Sequence, residues 1–262
     1  MVIKPSFIVL STVVLVCLAT TCNAQLKRPA LVKSKAVNTV ARSHEIGQSA
    51  VVVDETLSVL REKPSLFSDS VQRMRRGRTI QILGVTEADG VKFYKVTAPP
   101  KNYGWVQADA VFGKFRAADE ERLARLVQAS DGFEQIEIAH EFFNLYPQSK
   151  FRPAILLLYG DLLEEAAVKL SKDAGSRLSR KEMAASAAPM HSYFLNFNML
   201  DRYRKLGVIF VFNPNTRLFH YDGGGWREIA AKFSTASEAA EAQKRLESLR
   251  VKMSAIPAVR AK

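Results

Sequence analysis

The spacing of apolar side chains changes once along this chain, near Phe115, and the change divides it. Before that point apolar residues fall in short runs: Ala50 to Val53, Leu57 to Leu60, Thr79 to Val85, Lys92 to Thr97 and Tyr103 to Val106. After it they recur every three or four residues, as in Leu123, Leu126 and Val127, or Ile155, Leu158, Leu162, Ala166 and Leu170. A repeat of two marks strands, whose side chains alternate between faces, and a repeat of three to four marks one side of a helix. The expectation is a β segment followed by an α segment.

Turn signals separate the strand-like runs: Pro64-Ser65, Gly77, Asp89-Gly90 and Pro99-Pro100. Asp89-Gly90 suits a tight turn, because Gly accepts a positive φ without steric cost. This spacing predicts a small all-β barrel. Leu57-Ser58-Val59, Pro64-Ser65, Arg76-Gly77 before Thr79-Ile80-Gln81-Ile82-Leu83, Phe93-Tyr94-Lys95-Val96 and the closing Gly104-Trp105-Val106 together resemble a bacterial SH3-like (SH3b) domain over residues 50–113. Leu60-Arg61-Glu62-Lys63 departs from that family's usual turn. The resemblance implies a targeting module for cell-wall peptides or glycans, or a protein-contact module.

In the second half, Asp119-Glu120-Glu121 places acids at a helix start, where they complement the helix dipole. Phe133, Ile136, Ala139, Phe143 and Tyr146 mark a second helix stopped by Pro147, and a third starts near Pro153. Toward the C-terminus Trp226, Ile229, Ala230 and Phe233 form one helical face, and Ala239, Ala242, Leu246 and Leu249 another. Tyr146-Pro147-Gln148-Ser149 with Ala154, and Phe233-Ser234-Thr235-Ala236-Ser237 with Ala242, look like diverged copies of one helix-turn-helix unit. The pair resembles tetratricopeptide repeats over residues 133–167 and 224–250, although Tyr159-Gly160 has no counterpart in the second copy. Between the copies, 171–189 reads as a loop or weak helix and 191–206 as a helix. Val208 to Phe212 and Leu218 to Tyr221 flank Asn213-Pro214-Asn215-Thr216 as a β-hairpin. That aromatic hairpin is either buried on the repeats or a partner site.

The expected fold class is therefore multi-domain: a small all-β SH3-like barrel followed by an all-α, tetratricopeptide-like helical domain with an inserted β-hairpin. The boundaries are a signal peptide at 1–24, a linker at 25–49, the barrel at 50–115, the helical domain at 117–253 with its insert at 171–223, and a tail at 254–262. The signal peptide is read from Lys4, an apolar block from Phe7 to Ala19, and Cys22-Asn23-Ala24 before a cleavage point. The block is shorter than the roughly 20 residues a membrane-crossing helix needs, so no integral span is expected in the mature chain. Ala19-Thr20-Thr21 fits poorly before a lipid-bearing Cys22. Export to the periplasm or beyond is the expected address.

Both cysteines, Cys17 and Cys22, lie in the leader, so the mature chain has neither disulfides nor a thiol nucleophile. The net charge of +12 at pH 7 favours anionic envelope polymers or lipid headgroups; export argues against nucleic acid. Of the four histidines, His44, His140, His191 and His220, only His140-Glu141 begins a zinc motif. Asn144 stands where the second His is required, so no metal is expected. Glu164-Glu165 and Asp119-Glu120-Glu121 read as solvated faces and helix-start acids, because adjacent carboxylates on a helix do not face one cleft. The Gly223-Gly224-Gly225 run lacks the context of a phosphate loop, and no cofactor or catalytic residue is expected. Tyr94, Tyr103 and Trp105 are the candidate ligand-binding residues, stacking on sugar or peptide, with Arg75 and Arg76 of the cluster Arg73, Arg75, Arg76 and Arg78 beside them. The competing reading puts Tyr94 and Trp105 in the barrel core. The function expected is non-enzymatic binding or scaffolding in the cell envelope, with peptidoglycan or envelope proteins as partners. The alternatives are a subunit of an envelope-assembly complex with protein contacts only, and an accessory cell-wall hydrolase.

Overall fold

Seven strands build an antiparallel sheet: β1 (Ser49–Val52), β2 (Val59–Arg61), β3 (Ser70–Arg73), β4 (Thr79–Ala88), β5 (Val91–Ala98), β6 (Asn102–Gln107) and β7 (Val111–Phe112). The computed structural model describes residues 43–98, 102–177 and 201–254. The expected signal peptide, most of the linker, the 191–206 helix up to residue 200 and nearly all of the tail lie outside the described residues. Asp89 and Gly90 close the β4–β5 hairpin with φ of 54° and 72°, the two positive values a type I′ turn requires. Expected strands are thus found with edges moved by at most three residues. β3 and β7 were not foreseen; β3 lies at the start of the arginine cluster, where charge hides the alternation.

The strand order is β3-β2-β6-β5-β4-β1-β7, and this corrects the expected fold class. A closed small barrel would need its two edge strands to pair, yet β3 and β7 are left as the edges of an open, curled half-barrel. The concave face encloses Ala50, Val52, Leu60, Ile80, Ile82, Tyr94, Val96 and Val106. The opposite face at the β1–β7 end is apolar too: Val51, Val53 and Phe112 join the core of the helices. The sheet therefore does not stand as a barrel beside a separate all-α domain; the two share packing, and Ala41–Lys262 forms one compact unit.

The helices are α1 (Asp119–Ala129), α2 (Gly132–Leu145), α3 (Arg152–Arg177), the single turn α4 (Asp201–Arg204), α5 (Gly224–Lys232) and α6 (Ala239–Ser254). α3 runs six residues past Ser171, where the insert was expected to begin. β8 (Phe210–Asn213) and β9 (Leu218–Tyr221) form the expected hairpin. It is part of the helical core and not an appendage: Phe219 and Tyr221 are buried there, and β9 lies along α3. The β9 N–H groups facing away from β8 need acceptors. Ser171 Oγ accepts from Phe219 N–H at 2.9 Å, and Glu164 Oε2 from Tyr221 N–H at 2.9 Å. Trp226 of α5 lies on Gly160 of α3, where a Cβ would come within 2.3 Å of Nε1. That close approach accounts for the glycine at position 160.

Sheet and helices are also joined by polar contacts. Arg76, in the β3–β4 connection, donates to Glu137 at 2.7 Å, to Glu134 at 2.5 Å and to the Val53 carbonyl at 2.8 Å. Beside it a Cβ on Gly77 would come within 2.9 Å of Glu141 Oε1. Glu134, Glu137 and Glu141 fall three and four residues apart, so one stripe of α2 receives the turn. At the β7–α1 junction, Arg116 bridges Asp119, Tyr94 Oη and the carbonyls of Ala108 and Val111.

Candidate functional site

Of the five candidate binding residues, Tyr103 and Trp105 come together. They are two apart on β6 and so share its convex side, about 7 Å apart along the strand. Tyr103 is 63% exposed and Trp105 half-buried. Neither ring belongs to the concave core or to the helical core. Trp105 lies directly across from Arg61 on β2 and from Lys95 on β5. The Trp105 position is thus bracketed by two cations, a row produced by strand register alone.

Arg61 is held in place by donating from Nη1 to the Ser68 carbonyl at 2.7 Å, while its buried Nε has no hydrogen-bond partner. Lys95 is exposed, and the next residue in the row is Gly84, which puts no side chain beyond it. The β2–β3 loop flanks this surface and is tied to the β4–β5 turn: Asp89 Oδ2 accepts from Ser65 Oγ at 2.7 Å and from Leu66 N–H at 2.8 Å. Phe67 in the same loop is 89% exposed.

The other three candidates lie elsewhere. Tyr94 alternates to the concave face, fully buried, and donates to Glu45 at 2.7 Å. Burial and that hydrogen bond raise its pKa. Arg76 has a side chain only 7% exposed and is committed to α2. Arg75 is exposed in the β3–β4 connection, outside any strand. Arg73 donates to the carbonyls of Glu55 and Thr56. The arginine cluster is therefore divided between the helices, a loop and solvent. Arg61 and Lys95 were not singled out in sequence, because the signal that places them is the pairing of β2 and β5 with β6, which is long-range.

A second feature lies between α3 and α6: a cleft of about 580 Å³ lined by Asp161, Glu164, Lys169, Lys172, Arg245 and Lys252, among others, with Trp226 at its base. Arg245 makes a two-pronged ion pair to Asp161 at 3.0 and 3.3 Å. Glu164 accepts from Lys252 at 2.8 Å and shares a hydrogen bond with His220 Nδ1 at 2.9 Å. Burial alone would raise the Glu164 pKa, but these donors and Tyr221 N–H outweigh it and hold it below the usual carboxylate range. His220 is itself buried, so the pair fastens the hairpin to α3. His140 is half-buried on the flank of α2 and His44 is exposed. Among the described residues no group of three His, Cys, Asp or Glu side chains is arranged to hold a metal ion, and no helix is long and apolar enough to cross a membrane. No family model, curated protein or solved structure matches this chain, so its fold and its convex sheet face are read from its own geometry.

Proposed function

We propose that this is an exported, non-enzymatic binding or scaffold protein of the cell envelope, periplasmic or secreted. The convex face of the sheet contacts cell-wall polymer, and the helices hold a protein partner. The observation that carries this reading is the Arg61–Trp105–Lys95 row with exposed Tyr103 beside it. Flat rings with their edges flanked by donors hold a ligand by stacking and charge at low entropic cost. Leader-like residues 1–24 and the net positive charge support an anionic wall or envelope surface as the target.

The second reading, a subunit of an envelope-assembly complex with protein contacts only, draws on the α3–α6 cleft, whose Lys169 and Lys172 are exposed along one helix side. Co-sedimentation of residues 25–262 with isolated wall sacculi separates the two. On the wall-binding reading the chain pellets, and Trp105→Ala with Tyr103→Ala releases it. If the unmodified chain stays in solution, wall contact is wrong, and partner capture by the helical cleft becomes the reading to pursue.

A further inference from the structure

The convex face carries charge of one sign. On β2 to β6 its strand positions include Arg61, Arg73 and Lys95, and no Asp or Glu; the acid within these strands, Glu87, pairs with Lys92 and alternates to the other side. Arg73 is committed to two carbonyls. Arg61, which gives one bond to a carbonyl, and Lys95 stand one strand to either side of Trp105 and so about 10 Å apart. Such a row suits a ligand with a flat apolar ring face and anionic groups spaced around it.

We propose that the convex face binds an acidic saccharide, a glycan whose rings carry carboxylates. This rests on the reading of that face as the binding surface. One sugar ring stacks on Trp105 and its neighbour along the strand on Tyr103, while Arg61 and Lys95 take carboxylates from either side. Arg61, half-buried and held by its Nη1 bond to the Ser68 carbonyl, brings a fork geometry matched to a carboxylate. Lys95 supplies a mobile point charge over the open Gly84 side. A nucleic-acid strand fits less well, because phosphate-backbone binding draws on a track of many cations and this row has two.

The test uses residues 25–262 and intrinsic fluorescence. Trp226 is buried, so a ligand on the sheet is reported by Trp105. The probes are a hexameric oligogalacturonate, neutral chitohexaose of equal length, and a short oligothymidylate. The acidic saccharide is expected to bind at least about tenfold more tightly than the neutral one. Lys95→Gln and Arg61→Gln should each weaken acidic binding about tenfold and leave neutral binding unchanged. Should Arg61→Gln fail to fold, exposed Lys95→Gln decides alone. Equal affinity for the neutral oligomer, tighter binding of the oligothymidylate, or binding of neither saccharide overturns the inference. If sacculi still pellet the chain through Trp105 while neither saccharide binds, wall contact survives and the acidic-saccharide assignment falls. If the oligogalacturonate binds and sacculi do not, the assignment survives and wall contact falls.

Discussion

At one end of the sheet Val51 and Phe112 point to the convex side and enter the helical core, whereas on β5 and β6 Lys95 and Trp105 point to the same side and enter neither core. The backbone rule is identical in both places, since alternate residues face alternate sides. What differs is side-chain chemistry. An apolar outward position needs a cover and receives the helices; a bracketed aromatic one tolerates water and stays available. One sheet thereby anchors the helical half at β1 and β7 and presents a surface at β2, β5 and β6.

The largest effect should come from breaking the anchored end. Phe112→Ala removes a buried ring at the sheet–helix contact and is expected to destabilise the fold by about 3–5 kcal/mol. Urea unfolding followed by far-UV circular dichroism and by tryptophan fluorescence should lose stability together. Separate midpoints for the two probes would mean that sheet and helices do not share a core. Gly160→Ala drives a methyl into Trp226 and should cost about 1–3 kcal/mol, read as a lower denaturation midpoint. Arg76→Ala leaves the Val53 carbonyl and two partly exposed glutamates without their donor; a loss of about 1–2 kcal/mol is expected. Added salt should change the wild-type protein little at this bridge, because its guanidinium is buried.

A smaller effect concerns pH. The Glu164 pKa is held below 4.5 in the folded chain, so the folded state binds fewer protons there than the unfolded state. Its stabilisation is complete above pH 4.5 and is lost as pH falls through the folded-state value. Glu164→Gln should therefore flatten part of the fall in melting temperature between about pH 5 and pH 3, and an unchanged acid limb would refute the assignment. At the presenting end, Lys95→Gln should alter stability by no more than about 0.5 kcal/mol. A larger loss would show that the convex row supports the fold and is not held free for a ligand.

Much of this contrast could be read in the sequence, though only half of it was. Val51-Val52-Val53 is a continuous apolar run, which is what a strand covered on both faces requires, and Phe112 follows Val111 in the same manner. Reading these runs as one wall of a small closed barrel missed their second face. The five strands, the Asp89-Gly90 turn and the helices after Asp119 were legible because each rests on a local period or on turn chemistry. Among the candidate ligand residues, alternation along β5 already separates Tyr94 from Lys95. Nothing local tells that Arg76 turns inward while Arg75 remains outside; that is decided by the acid stripe on α2, some 60 residues away in the chain.

The sequence by itself determined the order of elements, β then α with a hairpin between helical pairs, because hydrophobic period and turn residues act over a few positions. Tertiary structure alone decided that the sheet stays open, that its first and last strands meet the helices, and that Trp105 stands between Arg61 and Lys95. Those outcomes depend on pairing between strands distant in sequence and on which apolar faces find a cover, and neither quantity is encoded in any single stretch of the chain.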